Sequence, residues 1–354
     1  MEKLRYYIAH NAGLQVSVGD PGGANIGEFF AGHTIDHLIG PRTKPQIVFA
    51  AVDGDGGHRT LDGGKTWQKV LNEEVRQFAI DPHDENVVYA GMCPVRLLRS
   101  EDGGTTWEPL DGLLDLPAEV QEKWDAPPVL RGLDFPHVRD IFIHPDDANL
   151  IFVLLEHGGV VLSRDRGKTW EDRSDGIDYV DMHRIENVPG SKEQYFVSSA
   201  RGFFRTDDCG KHWHRTEKGM PWGGTENLSY SHGWRFMPGS QRVIVCGAKG
   251  SPAFWGTKEG PRGHLIVSDD GGENWRVVTK GLGQENPWFP HALLQHPTDP
   301  RTLFCGMGDG CKGFGMTPDQ RGNGAWYVSR DAGDSWEVVL SNQPSIISAW
   351  VAPE

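Results

Sequence analysis

Ser268-Asp269-Asp270-Gly271-Gly272-Glu273-Asn274-Trp275 is the stretch that decides the fold. It recurs as Thr60-Leu61-Asp62-Gly63-Gly64-Lys65-Thr66-Trp67 and as Ser100-Glu101-Asp102-Gly103-Gly104-Thr105-Thr106-Trp107. Further copies start at Ser163, Thr206 and Ser329 and end at Trp170, Trp213 and Trp336. Six copies of [Ser/Thr]-x-Asp-x-Gly-x-x-Trp thus punctuate the chain, each between β-rich runs. The residue types are those of a turn. Ser and Asp side chains bond to backbone N–H groups, Gly supplies positive φ, and Trp re-enters the sheet as an apolar plug.

The pattern resembles the Asp-box, or BNR, repeat of sialidases, sortilin-type receptors, some glycoside hydrolases and photosystem II assembly factors. The resemblance implies a β-propeller whose boxes stabilise hairpins on the rim, so the boxes themselves are not a site. Reading the strands around each box gives four per unit: a lead strand closing on Pro, a strand pair, and the strand after the box. Lead strands run from Val75 to Pro82, Val138 to Pro145, Met182 to Pro189, Ser231 to Pro238 and Pro290 to Pro297. A seventh unit begins at Tyr6, where Ser17 to Gly23 reads as a decayed box. That unit lacks a lead strand, and Ile346–Pro353 is a lead strand without a unit. The predicted fold is therefore an all-β, seven-bladed propeller of four-stranded antiparallel blades. The C-terminal strand completes the first blade and removes two free sheet edges.

The 354 residues carry 24% charged side chains and a net charge of −14, which argues against nucleic acid or an anionic membrane as partner. The first residues lack the apolar core of an export signal, and five cysteines show no metal-ligand spacing. A cytoplasmic setting is expected, with a small molecule as partner. Extra residues fall at 111–136, 217–230, 249–263, 280–289 and 308–325. All open on one face of the ring, the top, which is the expected binding face of a single-domain propeller. Their aromatic residues, with Trp222, Trp234, Trp255 and Trp288 nearby, could floor a ligand pocket or simply pack the loops.

Ten of the 15 histidines map near that face. With the lead strands aligned on their closing Pro, His183, His232 and His291 share one position, and Arg76 and Arg139 occupy it in earlier blades. The second blade offers Asp36, with His37 beside it and His33 nearby; the last lead strand offers Ile347. These residues are expected to ring the channel mouth. One reading makes His33, His37, His183, His232 and His291 ligands of a divalent metal such as Zn, Mn or Fe. Asp36, Glu156, His157 and Asp181 would then be catalytic, and Arg76, Arg139 and His137 would hold a small anionic substrate. That describes a metal-dependent hydrolase or lyase. The other reading of the histidines is a hydrogen-bonded channel lining without metal. Asp53-Gly54-Asp55-Gly56-Gly57-His58 adds oxygen ligands or only a turn.

Two alternatives from other classes remain. The resemblance implies a metal-free, glycoside hydrolase-like enzyme, which needs two carboxyl groups across the bond. A sialidase would need a third arginine and an N-terminal Arg-Ile-Pro motif, and both are missing. The assembly-factor resemblance implies instead a non-catalytic scaffold.

Overall fold

A computed structural model describes residues 3–125, 135–221, 229–252, 255, 260–283, 286–309 and 323–354. These form seven four-stranded antiparallel sheets around one axis. Blade 1 combines Ile346–Pro353 with Leu4–His10, Gly13–Val18 and Ala24–Phe29. The C-terminal strand runs antiparallel to the first strand from Pro353 opposite Leu4 to Ile346 opposite His10. Blades 2 to 7 follow in order, and their innermost strands are Ile35–Ile39, Val75–Ile80, His137–His144, Met182–Asn187, Ser229–Phe236 and Phe289–Gln295. Each innermost strand neighbours the next, and Ile346–Pro353 against Ile35–Ile39 closes the ring.

Both faces of every sheet are covered by the neighbouring blades, so the second strands read as largely apolar runs. Val48–Val52, Val88–Met92 and Tyr195–Ser199 are buried at every position. The boxes lock the outer hairpins as their residue types dictate. In the first, Thr60 Oγ1 accepts from Gly64 N at 2.8 Å, and Asp62 Oδ1 accepts from the amides of Lys65 and Thr66 at 3.0 Å. The box tryptophans anchor the turn to the sheet; Trp213 is buried and its Nε1 donates to the Arg173 carbonyl at 2.7 Å. The decayed box keeps its serine but uses it differently, Ser17 Oγ donating to the carbonyls of Asp20 and Pro21.

Every innermost strand carries a register break at the same level, and His137–His144 has a second between Ile143 and His144. The pairing skips Asp36, Arg76, Arg139, His183 and His291 in their strands, and His232 with Gly233 in blade 6. In blade 1 it skips Ile347. A β-bulge leaves the extra residue out of the ladder and re-aims its side chain. The ring expected from alignment is thus a ring of bulges.

Immediately below it a second layer stitches neighbouring blades. His37 Nδ1 accepts from Phe78 N at 3.4 Å, and Gln77 Nε2 donates to Asp140 Oδ1 at 3.1 Å. Asp140 Oδ2 accepts from Ile185 N at 3.0 Å. Arg184 Nε and Arg235 Nε donate to the carbonyls of Trp234 and Leu293, both at 3.1 Å. Each bond spans from one blade to the next, so the layer ties the inner edges of blades 2 to 7 together.

The insertion at 111–136 holds a 3₁₀ turn, Asp111–Asp115, and a short helix, Ala118–Gln121, whose Leu113, Leu116 and Val120 pack onto the blade 3/blade 4 core. Residues 126–134, 222–228, 253–254, 256–259, 284–285 and 310–322 of the expected loops, with Trp222 and Cys311, lie outside the described residues.

Candidate functional site at the channel mouth

The polar groups that come together near the mouth stand at the bulge, two residues before it, or where a second strand enters its hairpin. These positions fill with different chemistry around the ring. In blades 2 and 3 they bring together Asp36, Asp53, Glu74 and Arg76. Arg76 Nη1 lies 2.7 Å from Asp36 Oδ2 and 3.5 Å from Asp53 Oδ1, and its Nη2 lies 3.4 Å from Glu74 Oε1. The three carboxyl groups each place an oxygen within 4.8 Å of the others. Burial, opposed by Arg76 and reinforced by the hydrogen bond and charge of Asp53, raises the Glu74 carboxyl above its usual range. Burial works against the Arg76 cation, but the carboxylates outweigh it and the guanidinium is held more firmly protonated than usual.

His33 supports this cluster. Its Nδ1 donates to the Asp53 carbonyl at 2.9 Å, and Asp53 N donates to the Thr34 carbonyl at 2.9 Å. Gly54 N donates to Glu74 Oε2 at 3.1 Å. His33 and His37 therefore do not converge. His37 lies in an extended strand within the stitching layer, where burial and then Arg184 and Arg139 push its imidazole down to about 3. Neutral and used as an acceptor, it is a structural group there.

Blades 4 to 7 carry the imidazole arc. Glu156 Oε2 lies 3.0 Å from Arg139 Nε and 3.3 Å from His137 Nε2. Burial opposes ionisation of Glu156, but His137, Arg139 and His183 prevail and hold its carboxyl well below the usual range. Arg139 Nη2 donates to His232 Nε2. Burial, Arg139 and His183 together keep the His232 imidazole well below its ordinary value, so it is neutral. The His183 and His232 rings are 5.1 Å apart. Asp181 lies between His183 and a further imidazole, 3.5 Å from His183 Nε2 and 3.9 Å from His157 Nδ1. His157 is buried in the hairpin turn at φ 60°, a left-handed conformation that histidine adopts more readily than most non-glycine residues.

His183, His232 and His291 sit on neighbouring bulges, but their nitrogens do not gather as one ligand set. His183 Nδ1 faces the Ser231 carbonyl at 2.6 Å and His232 Nε2 faces Arg139. His291 packs edge-on to Phe289, ring centroids 4.9 Å apart. Among the described residues, three ligand atoms within 4.8 Å of one another occur only in the Asp36, Asp53 and Glu74 group. Arg76 and Arg139 are each matched by carboxylates, so neither presents an uncompensated charge to an anionic ligand. Trp234 is a core residue against Phe196 and Phe203, and Trp255 is buried beside Phe289, so these two indoles fill interior space.

Sequence alignment located the bulge ring but gave Asp53 little weight and missed Glu74. Asp53 belongs to a position that only the strand pairing relates to the ring. Glu74, His137 and Asp181 each stand two residues before a bulge, a signal visible once the ring position is fixed.

The chain is an Asp-box seven-bladed β-propeller. No family model matches it. It is 25% identical over 221 residues to an oligoxyloglucan-reducing end-specific xyloglucanase of Emericella nidulans, a match covering 57% of this chain and 24% of that protein. In structure it is similar to a GH74 enzyme of Niastella koreensis, with TM-score 0.61 and 15% identity over 87% of this chain and 45% of that one. It is also similar to YCF48 of Cyanidioschyzon merolae, with TM-score 0.51 and 14% identity over 86% of this chain and 84% of that one. The chain thus spans about a quarter of the xyloglucanase and under half of the GH74 enzyme. At these identities the structural likeness speaks for the fold.

Proposed function

We propose that the protein is a carbohydrate-active propeller that hydrolyses a neutral oligosaccharide at the channel mouth. The observation that carries this reading is the carboxyl cluster: Glu74, raised by burial and Asp53, stands against Asp53 and Asp36, which are paired with Arg76. A carboxyl group pushed toward its protonated form beside ion-paired carboxylates is a combination that glycoside hydrolysis uses. Glu74 gives its proton to the glycosidic oxygen as the C–O bond breaks. Asp53 bonds to the anomeric carbon as that bond breaks, because carboxyl oxygens this close suit the retaining arrangement, and water then displaces the carboxylate while returning a proton to Glu74. Compensation of Arg76 and Arg139 favours a ligand without net charge, and the distant xyloglucanase match supports a glycan.

A panel of β-glucan and xyloglucan oligosaccharides, scored for new reducing ends, tests it. Glu74→Gln should lower turnover by about 10²–10⁴-fold, the range for loss of a general acid or base, and Asp53→Asn, which removes the nucleophile, by at least as much. A wild-type protein that neither cleaves nor binds any of these sugars refutes the reading.

The near-full-length likeness to YCF48 favours a second reading, a binding propeller without turnover. One YCF48 structure is described as bound to a D1 peptide. Peptide binding with no glycan cleavage in the same panel would select it.

A further inference from the structure

On the outer side of the Asp53 hairpin, away from the channel, the chain holds a bulky side chain in a conformation that suits glycine. Phe30 follows the outer strand of blade 1 and is half-buried, with Ala31 and Gly32 exposed beside it. Its φ is 55°, in the left-handed region where a large side chain is an outlier. Two tilted aromatic contacts brace the ring there. Its centroid lies 4.7 Å from that of His58 with 62° between the planes, and 5.4 Å from that of Trp67 with 69°. Neither neighbour is stacked flat on it.

The same bracing reaches the carboxyl cluster. The Phe30 carbonyl accepts from His33 N at 3.0 Å, and His33 Nδ1 donates to the Asp53 carbonyl at 2.9 Å. His58 Nε2 lies 3.0 Å from Asp55 Oδ2, and Gly54, between Asp55 and Asp53, donates its N–H to Glu74 Oε2 at 3.1 Å. Ring and carboxyl groups therefore share one frame, with the ring farther out along the boundary of blades 1 and 2.

We propose that Phe30 is a sugar-stacking platform, binding a gluco-configured ring of a glycan that runs outward from the carboxyl cluster. The inference rests on the glycan reading of that cluster. A β-glucosyl ring keeps its hydroxyls around its rim and presents C–H bonds on both faces. An aromatic ring covers such a face without stripping water from the hydroxyls. A side chain already braced on two sides loses little freedom when the sugar arrives. The left-handed turn keeps the ring at the surface beside the site, where strained backbone serves a ligand.

The Glu74→Gln protein, which retains the site while turnover falls, is titrated by calorimetry with cellotetraose and with a xyloglucan oligosaccharide. Adding Phe30→Ala should weaken the tighter of the two about 10-fold, the factor expected from covering roughly 60 Å² of apolar surface. Phe30→Gly should weaken it as much although it relieves the backbone, and Phe30→Tyr should keep affinity within about 3-fold. Thermal melts report whether the variants fold. If the small ones do not, NMR of the Glu74→Gln protein decides, with the Phe30 ring signals expected to shift as sugar binds. Unchanged affinity in Phe30→Ala, or Phe30 signals that ignore bound sugar, overturns this inference and leaves the glycan reading standing. Failure of both wild type and Glu74→Gln to bind either sugar overturns the two together.

Discussion

Replacing Arg76 with methionine removes the cation that holds Asp36, Asp53 and Glu74 together. Its side chain is 19% exposed and its guanidinium lies 2.7–3.5 Å from all three carboxyl groups. Three carboxyl groups with oxygens within 4.8 Å are then left without compensation. At an effective dielectric constant near 20, each pair of ionised groups at that distance repels by about 3.5 kcal/mol. The folded protein relieves this by taking up protons, so the carboxyl pKa values rise above their unfolded values. A group with a raised folded pKa penalises folding as pH rises above its unfolded value near 4. The variant should therefore be close to wild type at pH 4 and less stable by about 3–5 kcal/mol at pH 7, the cost of breaking a partly buried ion pair. Urea unfolding of both proteins at pH 4, 5.5 and 7 measures this. Arg76→Lys should recover part of the loss, since a single ammonium cannot reach all three partners. A destabilisation of equal size at every pH would show that Arg76 acts through packing, and the electrostatic account of the cluster would be wrong.

Ser268→Ala should cost about 1–3 kcal/mol in the same assay, because Ser268 Oγ accepts from Gly272 N at 2.8 Å and donates to Asp270 Oδ1 at 2.7 Å in a buried turn. Hydrogen bonds from Asn274 and Ser268 hold Asp270 down at about 2, and bonds from Thr169 hold Asp165 at about 2. These depressed carboxyl groups stabilise the fold above about pH 4 and lose that contribution as pH falls toward 2, so acid melts should steepen in that interval. His37→Leu leaves Phe78 N without its acceptor and should destabilise by about 1–3 kcal/mol in urea unfolding. In wild type the depressed His37 favours folding above its unfolded value of about 6.5, and that contribution declines from there toward pH 3; the variant should lack this part of the pH dependence.

The repeat by itself specifies the architecture. Six boxes with Gly and Trp at constant offsets impose identical hairpins, and the unpaired lead strand at Ile346–Pro353 has one partner to join. The ring position was legible for the same reason: a Pro-terminated strand of constant length places His183, His232 and His291 alike. What each side chain does at that position was not. Asp36 and His37 are adjacent in sequence, yet the bulge sends Asp36 to Arg76 and leaves His37 to bond the next blade. Glu74 meets Asp53 from another blade, and Arg139 meets His232 across two. Periodicity is a property of one strand and survives in sequence. Charge pairing around the channel depends on the closure of seven strands, which brings together residues that no local spacing relates.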